Sequence, residues 1–74
     1  MKSQNKQWNS AWEKCFENLT DEQQSQILAA PTGKAAATFS VHVSRLVDAR
    51  EAAKGKGAGR ELQLVERLEM ENPL

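Results

Sequence analysis

With 74 residues, of which 39% are apolar and 27% charged, the chain is long enough for one small globular domain and too short for two. A single Cys and a single His exclude a disulfide framework and a zinc site built from three or four such ligands. Ten basic and ten acidic residues leave zero net charge, which gives little long-range attraction to a polyanion.

A first helix is predicted over about residues 5–18. Trp8, Ala11, Trp12, Cys15, Phe16 and Leu19 recur every three or four positions as one apolar stripe, while Glu13, Lys14 and Glu17 fall outside it. Three of the four aromatics lie in this stripe, and Cys15 sits where a small apolar side chain would pack, so a buried thiol is expected. Thr20 then reads as an N-cap, with Asp21 and Glu22 in the first turn and Gln23 at the capping-box position. These residues predict a second helix from Asp21 to Ala29 that buries Ile27 and Leu28 and ends before Pro31. Under this reading the Asn18-Leu19-Thr20 sequon is a helix end followed by a capping residue.

Pro31-Thr32-Gly33 forms a turn in which Thr32 is the candidate cap for the next helix. From Lys34 to Lys54 two patterns compete. Phe39, Val41 and Val43 alternate with Ser40, His42 and Ser44 as in a half-buried strand, but a lone strand has nothing to pair with. Ala36, Phe39, Val43, Leu46, Val47 and Arg50 also share one helix face, and a long third helix is the reading adopted. Gly55, Gly57 and Gly59 interrupt it, each costing about 1 kcal/mol relative to Ala in a helix, so residues 54–59 are expected to be a mobile loop. A last helix from Arg60 to Glu71 presents Leu62, Val65 and Leu68 and stops at Asn72-Pro73.

The fold class is therefore all-α: a small bundle of three to four short antiparallel helices forming one domain over residues 1–74, with a glycine-rich loop at 54–59. Its expected core is Trp8, Trp12, Phe16, Ile27, Leu28, Phe39, Val43, Leu46, Val47, Leu62, Val65 and Leu68. A domain of this size buries only about 60% of the surface its unfolded chain exposes, which makes self-association into a homo-oligomer, or support from a partner, a route to stability. The longest uncharged apolar run, Ile27 to Ala30, is far short of the roughly 20 residues of a membrane span, so a cytoplasmic protein with no membrane partner is expected. Residues 34–60 carry six Lys or Arg against two acids, and residues 61–74 carry Arg67 against four Glu. This division predicts that the acidic last helix folds against the basic third one, or alternatively that the basic set faces an anionic partner.

Catalytic equipment is sparse. Nothing in the sequence brings His42 to Cys15, no metal-ligand spacing is present, and the tail acids lack the Asp and Gly loop pattern of a calcium site. The glycine loop between Lys54, Lys56 and Arg60 lacks the Lys-Ser/Thr pair of a phosphate-binding loop, and no strand precedes it, so it reads as a connector. No enzyme activity, metal or cofactor is expected.

Two local strings carry resemblances. Leu28-Ala29-Ala30-Pro31-Thr32-Gly33-Lys34-Ala35-Ala36 resembles the segment beside the nucleotide site in superfamily-1 helicases of the bacterial recombination-exonuclease type. It covers nine residues without the motor's Walker motifs, so what it implies is mimicry of that surface and not ATPase activity. Gln24 to Leu28, a turn, and Ser40 to Ala49 are similar to helix-turn-helix proteins, a resemblance that implies DNA contact by Ser40, His42, Ser44 and Arg45.

The functional expectation is a small non-enzymatic accessory or regulatory protein, of the size class encoded by phages and mobile elements, that binds a larger intracellular protein. Its partner-binding residues would be Trp8 and Trp12 as anchors, with Arg45, Arg50, Lys54, Lys56 and Arg60 as an orienting rim. The alternative is a nucleic-acid partner held by a helix-turn-helix-like unit over residues 21–50, through Lys34, Ser40, His42, Ser44, Arg45 and Arg50.

Overall fold

The computed structural model describes the chain from Lys2 to Leu74, with side-chain surroundings described from Lys6 onward. Four helices follow one another: α1 (Lys2–Glu17), α2 (Asp21–Ala29), α3 (Lys34–Ala52) and α4 (Gly59–Met70). No strand occurs among the described residues, and the fold is all-α. The ambiguous stretch around Val41 is helical: Phe39, His42, Val43 and Leu46 are buried and Val41 is exposed, which is a helix period and not a strand alternation.

Local chemistry fixes the start of α2. The Thr20 hydroxyl accepts from the Gln23 amide at 3.1 Å while the Gln23 side chain accepts from the Thr20 amide at 3.0 Å, closing a capping box. Helix α1 begins three residues earlier than the apolar stripe suggested, since Lys2, Ser3 and Gln4 carry nothing that breaks a helix. The expected cap at Thr32 is not formed: Gly33 holds the N-cap of α3 without any side-chain hydrogen bond. Between α3 and α4 the chain turns through Gly57, whose φ of 70° lies in the left-handed region that glycine enters without cost.

Helix α3 is the axis of the molecule, packing against each of the other three, and α1 also touches α4. The core is Ala11, Cys15, Leu19, Ile27, Ala36, Phe39, Val43, Leu46, Ala49 and Leu68, with Trp8, Trp12, Phe16, Val47 and Val65 half-buried around it. Two expected core residues lie outside: Leu28 is 66% exposed and Leu62 54% exposed. Consecutive helical residues point about 100° apart, so the nine-residue α2, which rests on α3, buries Ile27 and turns Leu28 away. In α4 a repeat of three residues drifts by about 60° per step, so Leu62 lies about 120° from Leu68 and leaves the buried stripe.

Candidate protein-docking surface

One turn apart on α1, the rings of Trp12 and Phe16 stack at 4.5 Å, and both meet Phe39 of α3 edge-on, at 5.4 and 6.1 Å. These are the offset and edge geometries that aromatic quadrupoles favour. The Trp12 and Phe16 rings are both half-buried against the core. The outer edge of Trp12, together with Ile27, Leu28, Pro31, Ala36, Phe39 and Ser40, lines a surface cavity of about 200 Å³ where α1, α2 and α3 converge. Leu28 and Pro31 are exposed at its lip, so an apolar edge, an apolar side chain and a proline ring face water together.

A second constellation lies where the end of α4 meets α1 and α3. The last carbonyls of a helix have no partner within it, and here other helices supply donors. The His42 Nε2–H donates to the Leu68 carbonyl at 2.9 Å, and the Asn18 side-chain amide donates to the Glu69 carbonyl. A carbonyl only accepts, so the proton of His42 is fixed on Nε2. The Arg50 guanidinium forks onto one carboxylate oxygen of Glu69, at 2.7 Å from Nη2 and 3.2 Å from Nε, and also donates to the Ser10 hydroxyl at 3.3 Å. Cys15 is fully buried nearby. Burial pushes its thiol pKa up, the Glu69 carboxylate acts in the same direction, and the Arg50 guanidinium opposes them. A thiol held neutral in a closed site does not act as a nucleophile.

The expected partner-binding residues do not converge. Trp12 lies at the cavity described above and Trp8 packs half-buried against the core. Arg50 is occupied by Glu69, which is one realisation of the expected pairing between the basic and acidic helices. Lys54 pairs with Glu51 on the surface at 3.5 Å, while Lys56 and Arg60 are exposed in and just after the glycine-containing turn. That turn and Pro31 stand at opposite ends of the 19-residue α3, about 28 Å apart.

The alternative nucleic-acid set is equally dispersed. His42 is 7% exposed and turned inward, which corrects the expectation that it projects from α3. Ser40, Ser44, Lys34 and Arg45 are exposed, but Ser40 and Arg45 point about 140° apart around the helix.

Sequence reasoning missed Leu28 and Pro31 as surface residues, having assigned the first to the core and the second to a turn alone. The available signal was the shortness of α2, which leaves room for one buried position of the adjacent pair Ile27-Leu28. Among the described residues, no helix is long and apolar enough to cross a membrane. Comparison of the chain with protein-family models, with curated proteins and with solved structures finds no match.

Proposed function

We propose that this chain is a small non-enzymatic cytoplasmic accessory protein that docks on a larger protein and modulates it. The observation that carries this reading is the cluster formed by the Trp12 edge, Leu28 and Pro31 around an open apolar cavity. Trp is the residue type most enriched at binding hot spots, and a site backed by a rigid aromatic stack binds without first ordering itself. Burying an exposed leucine contributes about 1.5–3 kcal/mol, enough for Leu28 alone to change affinity by an order of magnitude or more. Ser40 at the rim supplies a polar group that orients the docked segment.

The test is an affinity capture from lysate with the full chain and with Leu28→Asp, each with and without nuclease. A protein retained by the parent chain regardless of nuclease, and lost with Leu28→Asp at unchanged circular dichroism, supports the reading. Retention that disappears with nuclease, or that survives Leu28→Asp intact, refutes it.

A further inference from the structure

We infer that the face formed by α3 and α4, on a different flank of α3 from the Trp12 cavity, is where a second copy of this chain docks to make a two-fold, antiparallel four-helix arrangement. The two helices enclose an open groove of about 480 Å³ floored by Ala49, Ala52, Leu64 and Leu68 and edged by Arg45, Asp48 and Glu61. Leu64 stands 43% exposed on one bank, while the opposite bank is built from small alanines. Bulk on one helix facing space on the other is the relation that lets side chains from a copy interdigitate with it. Val41, 54% exposed on α3 and lining an adjoining cavity with Arg45 and Glu71, extends the apolar strip.

The Arg45 and Glu71 charges beside the groove point to a second copy as the occupant. Within the chain Arg45 of α3 lines one cavity with Glu71, just past the end of α4, and shares the groove with Leu64 and Leu68 of α4. A two-fold axis parallel to the helices keeps every residue at its own level and lays α3 of one protomer on α4 of its partner. Arg45 then meets Glu71 of the partner subunit. That pair forms twice by symmetry, and Leu64 of each protomer projects toward the alanines of the other. The monomer's Cα radius of gyration, 12.8 Å against about 11 Å for a compact chain of this length, marks an elongated body that association would round out.

Sedimentation and light scattering of the full chain over a wide dilution series test this. The expected result is a concentration-dependent mass rising from 8.2 kDa toward twice that value. Leu64→Glu, and independently Ala52→Glu on the facing helix, are expected to hold the chain at monomer mass with unchanged helical dichroism. If one of them unfolds, the other decides. Arg45→Glu alone and Glu71→Arg alone are each expected to weaken association about tenfold or more, and an equimolar mixture of the two to recover it, because both cross-pairs are opposite in sign only in the mixed dimer. A monomer mass at every concentration overturns the proposal. Association that persists in folded Leu64→Glu and Ala52→Glu, or a mixture no tighter than its components, overturns it as well.

Discussion

Replacing His42 by Leu tests whether the end of α4 is held by a donor from α3. His42 is 7% exposed, and Leu is apolar and of comparable bulk, so the change removes the Nε2–H without opening a large cavity. The Leu68 carbonyl belongs to the last turn of α4, and its one observed partner is that imidazole at 2.9 Å. Leaving a buried acceptor unsatisfied costs about 1–3 kcal/mol. For a domain of this size each kcal/mol moves the melting temperature by about 4–8 °C, so a loss near the middle of the range lowers it by about 8–16 °C. Urea unfolding followed by helical dichroism and by tryptophan fluorescence should show a lower midpoint with the slope unchanged, since the surface exposed on unfolding is the same. Asn18→Ala, which frees the neighbouring Glu69 carbonyl, should couple to His42→Leu by more than about 0.5 kcal/mol, because both variants loosen the same helix end. A His42→Leu protein within about 0.5 kcal/mol of its parent would refute the reasoning, since surface substitutions lie in that range.

Two further outcomes follow from Cys15 and from the turn between α3 and α4. The folded thiol pKa is raised, chiefly by burial, so the unfolded chain ionises first. The thiol's contribution to stability is thus complete below about pH 8.5, the unfolded value, and declines above it by at most about 1.4 kcal/mol per pH unit until the folded thiol also ionises. Urea midpoints should fall as the pH rises past that unfolded value, and Cys15→Ala should lose that part of the slope. The chain has no Tyr whose ionisation would overlap. Gly57→Ala and Gly59→Ala make a matched pair, because a Cβ at either position meets nothing within 4 Å. At Gly57, with φ of 70°, Ala should cost about 1–2 kcal/mol, whereas at the first residue of α4 it should stabilise by about 0.4–1 kcal/mol. Equal effects on the melting temperature would show that the turn conformation is wrongly assigned.

The helices were legible where a few neighbouring residues decide the backbone. Thr20 and Gln23 specify the start of α2 by bonds spanning three residues, and its observed ends coincide with the expected ones. The apolar stripe of α1 and the buried Cys15 also followed from spacing alone. The core was less legible because much of its floor is Ala11, Ala36 and Ala49, residues equally at home on a helix surface. Leucines are the larger apolar candidates, yet Leu28 and Leu62 lie outside it because the helical rotation turns each off the buried stripe. The polar seam could not be read at all. His42 and Leu68 are 26 residues apart and Asn18 and Glu69 are 51 apart, so their pairing exists only once three helices have met. For the same reason Arg50, one basic residue among six in its stretch, gave no sign that it alone would reach Glu69.

The small core also explains why two surfaces are available on so short a chain. Ala11, Ala36 and Ala49 fill core positions, while Leu28 and Leu64 stand exposed. On one margin of α3 this leaves Leu28 beside the Trp12 edge; on another it leaves Leu64 beside Ala49 and Ala52. Ser40, at the first site, and Ala52, at the second, point about 120° apart around α3. The two sites therefore share no side chain, and each can be changed without touching the other. Leu28→Asp should leave the self-association of α3 and α4 at full strength, and Leu64→Glu should leave the Trp12 face able to bind one partner. A two-fold pair carrying two such faces holds a multivalent partner more tightly than either face alone, by an effective-concentration factor that is lost on dissociation. Docking strength that depends on Leu64 only when the partner is multivalent would tie the two surfaces to one mechanism.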